Sequence, residues 1–185
     1  MIIAHLPAGY LMVKALSGKF RPDQAAGLWL CGLTASVLPD IDILLFHLEG
    51  AVRNHRYYPT HWPLFWLALF ALSVLALLLL KKQRAIVYPA MMLAGVTLHL
   101  LLDLIGGPVF YAAPFSFDER IQLVRVQAIY NWWLMNYIRH WIFQVELMIC
   151  GAAVLAFGLS QWEANWSGIK LAAAKLRLGR PGPAK

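Results

Sequence analysis

Nineteen consecutive residues, 62–80, carry no charge. At about 1.5 Å of rise per residue a helix of that length crosses a hydrocarbon core of about 30 Å. In water, so uniform a run would have to be buried on every side, which a chain of 185 residues cannot arrange. The run stops at Lys81, Lys82, Gln83 and Arg84, and a second apolar stretch, residues 85–105, follows at once, so the two read as a helical hairpin with a basic turn. A third apolar stretch covers residues 141–160. Two shorter ones precede them, residues 6–17 and residues 24–38, the latter introduced by the helix-start arrangement Arg21, Pro22, Asp23. The predicted fold is therefore all-α: a polytopic membrane helical bundle of about five transmembrane helices. The aromatic-rich residues 129–141 are predicted to lie as a helix along the outer interface.

Composition agrees, with 61% hydrophobic and 14% charged residues. The net charge of +7 does not point to nucleic acid, because the basic residues fall in short clusters between apolar runs and not along one amphipathic surface. They sort instead by side of the membrane. With the Lys81 turn in the cytoplasm, eleven basic residues share that side (Lys14, Lys19, Arg21, Lys81, Lys82, Arg84, Lys170, Lys175, Arg177, Arg180, Lys185). Five (Arg53, Arg56, Arg120, Arg125, Arg139) lie opposite, which puts the N-terminus outside. Trp62, Trp132, Trp133 and Trp141 then form an outer aromatic belt, and Trp162 and Trp166 an inner one. The first segment lacks a basic flank and a small-residue cleavage site and contains His5 and Pro7, so it is expected to stay on the protein. Residues 1–167 read as the membrane-embedded domain and 168–185 as a basic cytoplasmic tail. Cys31 and Cys150, in apolar runs without CxxC spacing, read as small buried hydrophobes.

Under this topology His5 opens the first helix, Asp40 and Asp42 close the second, His55 and His61 lie in the next outer loop, and His99 and Asp103 end the fourth helix. Distant segments thus deliver ionisable groups to one membrane depth, where an unpaired charge costs about 3 kcal/mol or more. His99 and Asp103, four apart on a helix, share a face and suit either one ion or a ligand with its hydrogen-bond partner. Taken singly each group has a bland reading: a helix-end hydrogen bond for His99 and Asp103, a turn for Asp40 and Asp42 after Pro39, an interfacial loop for His55 to His61. Taken together they point to a metal site. His47, His140, Glu49, Asp118 and Glu119 read as solvated or interfacial. Glu146, about two turns inside the last helix with no basic residue within a turn, reads either as a carboxylate facing the cluster or as a protonated helix contact.

These residues resemble the YdjM-like family, LexA-regulated inner-membrane metal-dependent hydrolases. The resemblance rests on Ala4-His5-Leu6, Leu38-Pro39-Asp40-Ile41-Asp42, the HR-x-x-x-TH pattern at His55-Arg56 and Thr60-His61, the His99/Asp103 pair and Gly106-Gly107-Pro108. It covers roughly residues 4–115. Ile43 stands where the family usually has a His, and Tyr57 and Trp62 stand at the Gly and Ser positions of its shorter HRGxTHS loop. The resemblance implies a hydrolase without naming its substrate.

The resulting expectation is that His5, Asp40, Asp42, His61, His99 and Asp103 bind one or two divalent ions, zinc first, with manganese or iron also suited to mixed nitrogen and oxygen ligands. His55 would carry protons and Arg56 would steady negative charge during cleavage of a phosphoester or ester bond. The expected partners are the bilayer and an amphipathic, lipid-like substrate. The rivals are a non-enzymatic scaffold stapled by metal, and an ion or metal transporter; the latter generally needs polar groups nearer the midplane.

Overall fold

The computed structural model describes residues 1–48 and 55–178, without the side chains of residues 45, 46, 133 and 168–178. Glu49, Arg53, Arg180 and Lys185, with the rest of the final seven residues, lie outside the described residues. The architecture is all-helical. Helices α1 (His5–Ser17), α2 (Ala25–Ala35), α3 (Asp42–Leu48), α4 (Pro63–Leu79), α5 (Val87–Gly106), α6 (Trp133–Ile138) and α7 (Trp141–Leu178) are joined by 3-10 turns at Leu38–Ile41, His55–Tyr57, Pro59–His61 and Gln83–Ile86. Among the described residues no strand forms, and Val109 and Ile121 make one isolated antiparallel bridge.

Two helical stretches are long and apolar enough to cross a membrane, Gln83–Gly106 and Trp141–Ser167. Ala25–Ala35 and Leu38–Leu44, bent by 55° against each other, add a third if they count as one broken span. That is fewer than the five expected from sequence, for a geometric reason. Helix α1 has 13 residues, about 20 Å of rise, and the apolar α4 has 17, about 26 Å. The run at residues 24–38 does not extend as one long helix, because α2 stops at Ala35 and Pro39 turns the chain into a 3-10 step before α3 begins at Asp42. Likewise the interfacial helix shrinks to Trp133–Ile138: the amides of Ile129 and Tyr130 bond back to Asn136 Oδ1 at 2.9 and 2.6 Å instead of entering a helix.

Helix α5 is the axis, packing on α1, α2 and α4. It packs tightly on α2, where a Cβ added at Gly95 would lie 2.8 Å from Ala35 Cβ and 2.9 Å from the Gly32 carbonyl oxygen, so nothing larger than glycine allows this helix contact. Trp66 of α4 joins Ala35, Val96 and Leu100 in one apolar cluster, and Val13, Leu28 and Met91 form another between α1, α2 and α5. The other faces of α4 and α7 expose Leu67, Leu72, Leu75, Leu79, Met148, Val154 and Leu155, while His5, Asp42, His61, His99, Asp103 and Glu146 are all buried. Apolar surface outside and ionisable groups inside is the distribution a bilayer solvent imposes.

The α4–α5 hairpin closes as a Schellman turn: Lys82 N–H donates to the Leu77 carbonyl at 2.8 Å and Lys81 N–H to Leu78 at 3.0 Å. Lys81 adopts φ 56°, the left-handed conformation that usually calls for glycine there. Cys31 and Cys150 are partly exposed and unpaired with each other.

Candidate metal centre

Pro39 and the step from 3-10 turn to helix place Asp40 and Asp42 on opposite sides of a single imidazole, that of His61. Asp42 Oδ2 lies 2.6 Å from His61 Nδ1, whereas Asp40 Oδ1 lies 3.7 Å from His61 Nε2. A carboxylate accepts, so Nδ1 carries the proton and Nε2 presents its lone pair to Asp40. Helix α5 orients His99 in the same way. Its Nδ1–H donates to the Ser36 carbonyl at 2.9 Å, turning Nε2 toward Asp40 Oδ1 at 3.6 Å and Asp103 Oδ2 at 3.8 Å. Asp103 Oδ2 is also 3.5 Å from His61 Nε2.

Four atoms thus face one another: His61 Nε2, His99 Nε2, Asp40 Oδ1 and Asp103 Oδ2, with imidazole-to-carboxylate separations of 3.5 to 3.8 Å. These are too long for hydrogen bonds. Ligands at about 2.1 Å from a tetrahedral ion stand about 3.4 Å apart, so the spacing suits atoms that share a cation. Three of the four, His61 Nε2, His99 Nε2 and Asp103 Oδ2, are buried without a hydrogen-bond partner, and so are both ring nitrogens of His5. Buried acceptors aimed at one another are costly unless something positive lies between them. His5 stacks on His99 with ring centroids 3.9 Å apart, its Nδ1 3.5 Å from Asp40 Oδ2 and its Nε2 3.3 Å from Asp103 Oδ1. The residues fall into three groups that can hold a metal ion: His5, His99 and Asp103; Asp40, His61 and His99; and Asp42, His55 and His61.

The surrounding groups fix these candidate ligands. Asp42 receives Thr60 Oγ1–H at 2.6 Å, and its other oxygen lies 3.3 Å from His55 Nδ1. Arg56, 8% exposed, reaches Asp103 Oδ1 at 3.1 Å and donates to the carbonyls of Asp103 and Pro108 at 3.2 and 3.3 Å. Gly107 makes room for it, since any Cβ there would collide with the guanidinium. The Met1 amino nitrogen lies 2.7 Å from Asp103 Oδ1. Burial opposes a charge on His61, but Asp103 and Asp42 on either side outweigh it and raise its pKa. Asp40, His55 and Arg56 line a cavity of about 410 Å³ together with Gln127, Asn136 and Tyr137.

All eight residues singled out from sequence therefore meet. Glu146 lies apart: it accepts Ile2 N–H at 2.6 Å and Ile3 N–H at 2.8 Å, and Tyr137 donates its hydroxyl to it. Burial and this bond to Glu146 raise the pKa of Tyr137. His47, Asp118 and Glu119 are exposed. Sequence reasoning did not find the role of Thr60, Ser36 or Tyr137. Thr60 sits next to His61 within the HR-x-x-x-TH pattern, a signal that was present; the Ser36 carbonyl and Tyr137 carry no such mark.

The family model for the YdjM inner membrane protein matches residues 1–170. The chain belongs to that family. Membership spans every helix that contributes to the cluster and identifies the apolar helices as those of an inner-membrane protein. No curated protein and no solved structure matches the chain.

Proposed function

We propose that this YdjM-family chain is a membrane-bound metal-dependent hydrolase that cleaves a phosphoester or ester bond of an amphipathic or lipid-linked substrate at the outer side of the inner membrane. The observation that carries it is the set of two imidazole nitrogens and two carboxylate oxygens spaced 3.5 to 3.8 Å apart beside a cavity. His61, His99, Asp40 and Asp103 hold the ion, with His5 as a further ligand. Asp42 acts through His61, fixing its tautomer and raising its basicity. Mixed nitrogen and oxygen ligands at tetrahedral spacing suit zinc before manganese or iron. When bound, such an ion supplies Lewis acidity and lowers the pKa of water to near neutrality.

His55, at the cavity wall and in contact with Asp42, carries the proton between water and leaving group. Arg56 holds Asp103 Oδ1 at 3.1 Å and adds positive charge where negative charge develops. The outer placement, with an external N-terminus, rests on the eleven-to-five division of basic residues between the two sides.

The test is metal content of detergent-purified protein against the Asp40→Ala/His99→Ala variant, both checked for folding by gel filtration. Equal metal in the two removes the site. A second reading, a metal staple without turnover, draws on the ion's ligands coming from four separate segments. His55→Ala separates the readings: an enzyme keeps its metal and abundance but loses hydrolysis of ester or phosphoester lipids, whereas a staple is unaffected.

A further inference from the structure

Beyond the cluster, Arg125, Arg139 and His140 line a second cavity of about 440 Å³, with Tyr130, Gln127 and Asn136. Gln127 and Asn136 also line the cavity that reaches Asp40, His55 and Arg56, so the two spaces share a wall. Among the described residues no carboxylate pairs with Arg125 or Arg139. Arg139 is held in place by neutral partners: Nη1 donates to Tyr130 Oη at 2.8 Å, and the guanidinium lies 5.0 Å from the centre of the Tyr130 ring. His140 Nδ1 accepts the Ile142 amide at 3.3 Å, which leaves the ring proton on Nε2 as a donor. Asn136 braces the wall, taking the Ile129 and Tyr130 amides and donating to the Tyr130 carbonyl at 2.8 Å. His140 immediately precedes α7, whose N-terminus adds positive potential.

We propose that this second cavity is an anion subsite that holds a phosphate group of the molecule whose scissile bond lies at the His/Asp cluster. Two guanidinium groups and an imidazole N–H, without a competing carboxylate, match the several acceptor oxygens of a phosphate. Arg56, already committed to Asp103 and two carbonyls, serves the cluster, and Arg125 and Arg139 serve the distal anion. The substrate class is thereby narrowed to molecules with a phosphate next to the bond cleaved. The identity of that molecule rests on the hydrolase reading; the existence of the subsite does not.

The test is binding of dioctanoyl phosphatidic acid and of inorganic phosphate to full-length protein in neutral detergent, by calorimetry, with EDTA present so that no ion at the cluster contributes. Wild type is expected to bind at least one probe, and Arg125→Gln/Arg139→Gln to bind it at least tenfold more weakly. Arg125→Lys/Arg139→Lys should recover part of the loss, and Arg120→Gln, an exposed arginine outside the cavity, should bind as wild type does. Phosphatidic acid alone identifies a lipid headgroup as the source, and equal binding of inorganic phosphate identifies a soluble phosphate; either supports the subsite. No binding of either probe, unchanged affinity in the Gln double variant at native elution volume, or an equal loss in Arg120→Gln overturns it. Asp40→Ala/His99→Ala is expected to retain anion binding, so that failure of the metal reading and failure of the subsite give different results.

Discussion

Asp103 and Glu146 are both carboxylates buried in apolar helices, 1% and 0% exposed, yet their surroundings differ in kind. Glu146 is met by neutral donors on both oxygens: two backbone amides and a tyrosine hydroxyl. Asp103 has one oxygen engaged by Arg56 and the Met1 nitrogen, while the other faces the bare nitrogens of His61 and His99 with no donor at all. The first is a completed hydrogen-bond network; the second leaves an open side that the proposed ion would fill. Burial and charge do not distinguish a structural carboxylate from a ligand; the satisfaction of each oxygen does.

The comparison predicts opposite losses. Glu146→Ala should leave three donors without an acceptor, the Tyr137 hydroxyl buried and the Ile2 and Ile3 amides partly buried, at roughly 1–3 kcal/mol for the buried one and less for the others, lowering thermal stability in detergent; equal melting temperatures for variant and wild type would break the distinction from the Glu146 side. Asp42→Asn keeps an oxygen acceptor for Thr60 and His61, should cost less stability than Glu146→Ala, and should weaken metal affinity about 10- to 100-fold, because His61 loses the charge that raises its basicity. Titration with a chelator-buffered metal reads that change, and an unaltered affinity would mean Asp42 does not act through His61.

A smaller effect concerns pH. Proton and metal compete for His61, whose pKa lies above its ordinary 6.5. As pH falls, metal affinity should therefore begin to drop at a higher pH than it would for a histidine of ordinary pKa. Without metal the sign reverses: the raised pKa contributes stability that is present at low pH and lost as pH rises through it. Metal titrations and melting curves across that range check both directions, and Asp42→Asn should move both midpoints downward. The smallest change sharpens the frame around the site. Lys81→Gly relieves the left-handed residue at the α4–α5 turn and should raise stability by about 1 kcal/mol, read as a modest rise in melting temperature with metal content unchanged.

The long helices were legible because an uncharged run states its own length: residues 62–80 and 85–105 became Pro63–Leu79 and Val87–Gly106. The run at residues 24–38 stops short of Pro39, as its sequence indicates, and what was not legible is its length: the helix is only Ala25–Ala35 and reaches span length together with Leu38–Leu44 across a 55° bend. Convergence of the cluster was legible from topology alone, since His5, Asp40, His61 and His99 had to share one end of the helices. The division of labour was not. Asp40 and Asp42 look equivalent in sequence, and only the 3-10 step sends them to opposite nitrogens of His61. Glu146 was visible as an anomaly, but its partners at Ile2 and Ile3 stand 144 and 143 positions away, beyond any local pattern.

That separation has a consequence for biogenesis. The segment carrying His5 leaves the ribosome well before the group that pins Ile2 and Ile3, which arrives only with α7. At about 5–20 residues per second the wait is on the order of ten seconds or more. The first of the candidate ligands is thus locked by a helix made after all the others, so a nascent chain stalled before α7 would carry every candidate ligand and still lack the latch that fixes the first of them.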